Sequence, residues 1–180
     1  MAVNRIPGLR CTEKPGILAR LRAPADFRRL NGAAVQSLVS RRLRNTVWDA
    51  ATLLAEAEKV QKASERAGIR MISIEEEDYP PQLRESYDPP FLLFYRGRLP
   101  DRTSPLLGVV GTRVPSGAGR KAAFRLGFET AQAGYGVVSG LARGIDGEAH
   151  RGCLAAGGYT VAVLGHGADT AHPKSNRALA

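Results

Sequence analysis

The run Ser139-Gly140-Leu141-Ala142-Arg143-Gly144-Ile145-Asp146 constrains this chain more than any other. It follows Tyr135-Gly136-Val137-Val138, a short apolar stretch that reads as a buried strand. It precedes Gly147–Leu154, whose apolar spacing reads as a helix. A strand, a tight glycine loop and a helix start is how a phosphate site is built. Glycines let the backbone approach an anion, and the first N–H groups of the helix point at it. Arg143 adds a fixed charge and a planar donor fork. Ser139 reads as a phosphate-facing hydroxyl, and Asp146 as the helix N-cap.

Two further turns of this kind flank the first. Upstream, Leu106-Leu107-Gly108-Val109-Val110 reads as a strand running into Gly111-Thr112-Arg113, with Pro115, Ser116, Gly117 and Gly119 before a helical pattern. Downstream, Tyr159–Leu164 reads as a strand followed by Gly165-His166-Gly167 and Pro173-Lys174-Ser175-Asn176. The order strand, helix, strand, helix, strand implies a parallel sheet with right-handed crossovers. Its βα turns then share one edge, the carboxyl ends of the strands. Gly111, Thr112 and Arg113 should therefore lie beside Ser139, Gly140, Arg143 and Gly144, with Lys174 and Asn176 next in line. Arg113, Arg143 and Lys174, spaced over small residues, make a cationic groove.

These residues carry a family resemblance. G-T-R at 111–113, V-V-S-G-L-A-R-G-I-D at 137–146, A-H-R-G at 149–152, T-V-A-V-L-G at 160–165 and P-K-S-N at 173–176 resemble the DprA/Smf family of DNA-processing proteins. Asp78-Tyr79-Pro80-Pro81-Gln82-Leu83 and Asp88-Pro89-Pro90-Phe91-Leu92-Leu93 with Gly97 resemble that family's entry into its nucleotide-binding-type domain. The resemblance covers residues 69–180 closely and 1–68 loosely. It implies a Rossmann-like α/β domain that grips single-stranded DNA, protects it and hands it to the RecA recombinase in transformation or recombination. It also implies a homodimer in the intact family, and more sheet beyond Ala180, so the parallel sheet is expected to be incomplete at the C-terminus. Two positions depart from the family pattern: Ala118 and His172 stand where tyrosines are usual, removing stacking surface near the groove.

Charge agrees with a polyanion partner. The net charge is +9, and residues 1–74 carry 14 Lys/Arg against 6 Asp/Glu. There is no apolar run long enough to span a membrane and no signal-peptide core, so a cytoplasmic protein is expected. Cys11 and Cys153 lie far apart and read as reduced thiols. No cofactor and no metal site is expected, since His166 and His172 lack partners at ligand spacing.

Two domains are expected: a small helical one over 1–68, SAM- or helix-hairpin-helix-like, and the Rossmann-like one over 69–180. Within the first, residues 5–67 read as helical, ended by Gly68 as a C-cap. Ile6-Pro7-Gly8-Leu9 reads either as a phosphate-gripping helix-hairpin-helix turn or as a plain helix connection. Arg41, Arg42 and Arg44 form a basic cluster. Ile69–Ile74 and Phe91–Tyr95 read as strands around an acidic loop, and 98–105 as a linker.

No catalytic constellation is found. Asp146 and His150 are neighbours on one helix face, but no nucleophile or third orienting group joins them. The alternative function is a nucleotide-binding hydrolase of the lysine-decarboxylase-like Rossmann group, whose P-G-G-x-G-T-x-x-E run is absent. A dinucleotide-dependent oxidoreductase needs G-x-G-x-x-G after the first strand and an acid closing the second. Gly111-Thr112-Arg113 breaks the first requirement, and Ser139 replaces the acid.

Overall fold

The computed structural model describes residues 1–44, 46–100, 103, 105–170 and 172–179. The linker expected over 98–105 falls partly outside them. The chain divides into two compact units, Met1–Leu99 and Pro100–Ala180.

The first unit is less regular than its apolar spacing predicts. Short α-helices α1 (Lys14–Leu18), α2 (Pro24–Arg28) and α3 (Gly32–Gln36) precede the long α4 (Ala50–Arg66). Pro15 and Pro24 fix two of the helix starts, where a missing N–H costs nothing. Asn31 caps the third by accepting from the Ala34 N–H at 2.8 Å. Asp49 caps α4 through the Thr52 N–H. Val3, Ile6, Ile17, Phe27, Val35, Leu43 and Ala50 form the buried core. Arg41 is no free cation: its guanidinium pairs with Glu13 at 2.8 Å and donates to the Gly8 carbonyl at 2.5 Å, clamping the Ile6–Leu9 turn. Arg42 and Arg44 line an open groove of about 510 Å³.

Strands β1 (Arg70–Ser73) and β2 (Leu92–Tyr95) pair antiparallel with each other. They do not join the parallel sheet, although the motif resemblance groups residues 69–180 together. The single-turn α5 (Pro81–Arg84) lies between them. Tyr79, fully buried, donates to the Pro90 carbonyl at 2.6 Å and ties down the proline-rich connection.

The second unit is the α/β unit the sequence predicts. Strands β3 (Leu106–Gly108), β4 (Gly136–Ser139) and β5 (Thr160–Ala162) form a parallel sheet in the order β3-β4-β5. Helices α6 (Gly117–Gln132) and α7 (Ile145–Ala155) are the crossovers. A 3₁₀ helix over Lys174–Leu179 stands where a further helix is expected to begin. Gly134 and Gly157 end the two helices at positive φ. Val109 and Val137 pack with Ala149 and Cys153 in the core between sheet and helices.

The helices touch through glycines. A Cβ on Gly127 would lie 2.1 Å from the Ala149 carbonyl oxygen, and one on Gly152 1.9 Å from that of Phe124. The buried face of α6 is therefore Ala123, Gly127 and Thr130, with Phe124 turned half outward. That face is set by backbone approach rather than by the largest side chains.

Gly152→Ala should force the helices apart and destabilise this unit by roughly 1–3 kcal/mol. Gly117→Ala meets nothing within 4 Å and should change stability by less than about 0.5 kcal/mol. Urea denaturation of the full chain compares the two.

Candidate nucleic-acid interface

The three βα turns lie side by side at the carboxyl edge of the sheet. The first two are in direct backbone contact. Ile145 donates its N–H to the Thr112 carbonyl at 3.2 Å. Gly144 sits at φ +87°, and a Cβ there would lie 2.2 Å from the Thr112 oxygen. Only glycine permits both that conformation and that approach.

Asp146 joins the same two turns. It is 6% exposed, and its carboxylate accepts the Gly111 N–H at 3.3 Å and the Gly140 N–H at 3.1 Å. Asp146 is thus not the helix cap expected from its position; Gly144 occupies the cap of α7, and Asp146 lies one residue inside. Its side chain turns back onto the ends of β3 and β4 because two backbone donors wait there. Backbone donors at the start of α7 are also engaged within the protein: Gly147 donates to the Ala142 carbonyl at 3.1 Å.

The third turn is joined by Asn176, 2% exposed. Its amide donates to the carbonyls of Leu141 and Ala142 at 3.0 and 2.9 Å, and its oxygen accepts from Arg151 at 3.0 Å. Leu141 is held at φ +56°, rare for a residue with a Cβ, with its side chain buried as an anchor. Arg151 also pairs with Glu148 at 3.0 Å. The amide nitrogen of Asn176 therefore serves the loop beside it, and its oxygen ties the turn to α7.

The predicted residues sort into three kinds. Arg113, Arg143 and Lys174 are exposed and have no hydrogen bond or ion pair among the described residues. Gly111, Thr112, Gly140 and Gly144 shape the turns between them; the Thr112 hydroxyl accepts from the Val114 N–H at 3.2 Å. Ser139 and Asn176 lie beneath, buried. The Ser139 Oγ has no hydrogen-bond partner among the described residues and does not face solvent. His172 is exposed, its ring edge-on to His166 at 6.0 Å.

Sequence reasoning set His150 beside Asp146 on one helix face without finding its partner. Its Nδ1 lies 2.5 Å from the Thr160 hydroxyl, which donates to the Val137 carbonyl at 2.9 Å. The hydroxyl proton is thereby assigned, so Nδ1 carries a proton and His150 is the donor. This chain ties α7 to β4 and β5. Burial holds the imidazole below its ordinary pKa, against the opposing pull of the Asp146 charge. Burial likewise pushes the Cys153 thiol up, leaving it protonated. Among the described residues, no three His, Cys, Asp or Glu side chains are grouped to hold a metal ion, and no helix is long and apolar enough to cross a membrane.

An open parallel sheet with glycine-rich turns at its carboxyl edge is a Rossmann-like α/β fold. Comparison with known proteins narrows this. A family model described as DNA recombination-mediator protein A matches residues 70–180. The chain belongs to that family, the DprA/Smf family its motifs resemble. The DNA processing protein DprA of Streptococcus pneumoniae is 44% identical over 109 residues, 59% of this chain and 38% of that protein. The X-ray structure of DprA from Streptococcus pneumoniae superposes with a TM-score of 0.68 at 30% identity, covering 98% of this chain and 60% of that one. A structure of DNA processing protein A from Helicobacter pylori, described for its single-stranded DNA binding mode, superposes with a TM-score of 0.52 at 25% identity. It covers 62% of this chain and 49% of that one. The chain thus spans less than two thirds of the length of each of these relatives.

His150 gives a pH prediction. Above about pH 6.5 the group is neutral folded or unfolded. Below that, the unfolded chain takes up a proton that the buried imidazole refuses, so stability should fall as pH drops. His150→Asn, which keeps a donor for Thr160, should flatten the loss between pH 7.5 and 5.5 in urea denaturation. An unchanged slope would remove His150 as its source.

Proposed function

We propose that this chain binds single-stranded DNA along the carboxyl edge of its parallel sheet. The observation that carries the reading is the triad of exposed cations, Arg113, Arg143 and Lys174, on turns joined by buried hydrogen bonds. Each is unpaired among the described residues, so its charge is available to a phosphate. Gly111, Thr112, Gly140 and Gly144 keep the surface between them low enough for a strand to lie against it. Ser139 and Asn176 act from below: Asn176 fixes the loop that carries Arg143, and Ser139 closes the strand end beneath it. The likeness to a Helicobacter pylori relative described for single-stranded DNA binding supports the choice of ligand.

The reading is one of binding rather than turnover. The Ser139 hydroxyl is buried, and His150 donates to Thr160, so neither meets a substrate on the surface. The hydrolase alternative draws on no observation of its own. Protection of single strands in the cytoplasm, hand-off to the RecA recombinase and pairing of two copies belong to the same proposal and rest on family membership.

Affinity for an oligonucleotide should fall steeply with added salt and be higher for single strands than for duplex. Arg113 should be the leading contact. It stands on the turn that follows β3, and Val114-Pro115 stiffens that turn. Its fork suits two phosphate oxygens, so lysine should replace it poorly. Arg113→Ala should weaken binding about ten- to a hundredfold, from on the order of 1.5–3 kcal/mol. Arg42→Ala, a solvated charge of the first unit, should change it less than about twofold. Fluorescence anisotropy at two salt concentrations measures all of these. A larger loss from Arg42→Ala would move the interface to the first unit.

A further inference from the structure

We infer that Asp146 is a specificity-determining residue: a built-in anion that closes the amide pocket of this edge to small phosphates and leaves strand phosphates to the cations above it. The inference rests on the reading of the edge as a DNA site.

In glycine-turn phosphate sites, the ligand's charge is met by backbone N–H groups at the strand ends and the helix start. In this chain two such donors, Gly111 and Gly140, already hold the two oxygens of one carboxylate, at 3.3 and 3.1 Å. The Ile145 N–H is engaged with Thr112 in the same way. One side of the first glycine is occupied as well, since a Cβ on Gly111 would lie 2.6 Å from the Ile145 side chain, while its other side stays exposed. A nucleotide phosphate entering this position would have to displace a buried carboxylate and lie against its charge. A carboxylate with charge-assisted bonds to backbone donors, itself 6% exposed, is not readily displaced.

A strand is less affected. Its phosphates are spaced along a chain and reach side chains that extend beyond the turns, so Arg113, Arg143 and Lys174 can serve them without the amides. The same carboxylate therefore discriminates between ligands of one chemical class: it rejects a nucleoside diphosphate and tolerates an extended polyanion. Composition does not supply this discrimination, because a basic surface attracts both.

The test is a titration of the ¹⁵N-labelled full chain with ADP, followed at the Gly111 and Gly140 amides, for the wild type, Asp146→Ser and Asp146→Asn. Anisotropy with a single-stranded oligonucleotide runs alongside. The wild type should show no ADP-dependent shift at either amide. Asp146→Ser, which removes the charge and opens space, should bind ADP at least tenfold more tightly than the wild type, with both amides shifting. Asp146→Asn keeps the volume without the charge and should gain less than Asp146→Ser. Should Asp146→Ser not fold, the wild type and Asp146→Asn decide. Wild-type amides that shift with ADP, or folded variants with no gain, overturn the inference. Failure of the wild type to bind the oligonucleotide while still excluding ADP would instead overturn the DNA-binding reading.

Discussion

The carboxylate of Asp146, held between the backbone N–H groups of Gly111 and Gly140, is the contact on which the rest of the edge depends. A buried charge is tolerated only when hydrogen bonds replace its water. The replacements come from two different turns, so satisfying the charge also fixes the turns to each other. Gly144 can then approach Thr112, and Ile145 can cover Gly111, because the strand ends are already held in register. Asn176 extends the arrangement to the third turn by a neutral version of the same device, bonding two loop carbonyls from below.

What emerges is an edge with its polar backbone turned inward and its charged side chains turned outward. The separation follows from the inventory of donors. The Gly111, Gly140 and Ile145 amides, which would face a ligand in a nucleotide-binding fold, are engaged by the protein, so the proposed interface relies on long side chains. Long cationic side chains are adaptable, salt-sensitive and spaced over several ångströms. Those are properties suited to the backbone of a strand. Underneath, close passage of α6 against α7 through Gly127 and Gly152, with the His150–Thr160–Val137 relay, keeps the helices seated on the sheet.

Much of this was legible in the sequence, and the portion that was not has definite causes. Apolar runs at 106–110, 135–138 and 159–164 located the three parallel strands. The neighbouring placement of Arg113 and the 139–144 loop followed from parallel topology alone. Period and spacing could not reveal where Asp146 turned, because an acid at a helix start reads equally as a cap or as a brace. Ser139 and Asn176 were legible as members of the edge but not as buried ones, since depth at a strand end depends on the neighbouring turn. In the first unit, residues 5–67 read as helical, and prolines divide the first part of that segment into short helices. The β1–β2 pair was found as strands but not as its own hairpin, since pairing partners are set by long-range contacts rather than by local pattern.

Amide hydrogen exchange at Gly111 and Gly140 tests the role of Asp146 most directly. If its carboxylate holds both donors, these two amides are protected in the free protein, unlike the exposed amides of neighbouring turn residues, and single-stranded DNA leaves their protection unchanged. Rapid exchange in the free protein, with protection gained only when DNA binds, would mean that the amides grip phosphate themselves. That result would contradict the central role of the Asp146 carboxylate.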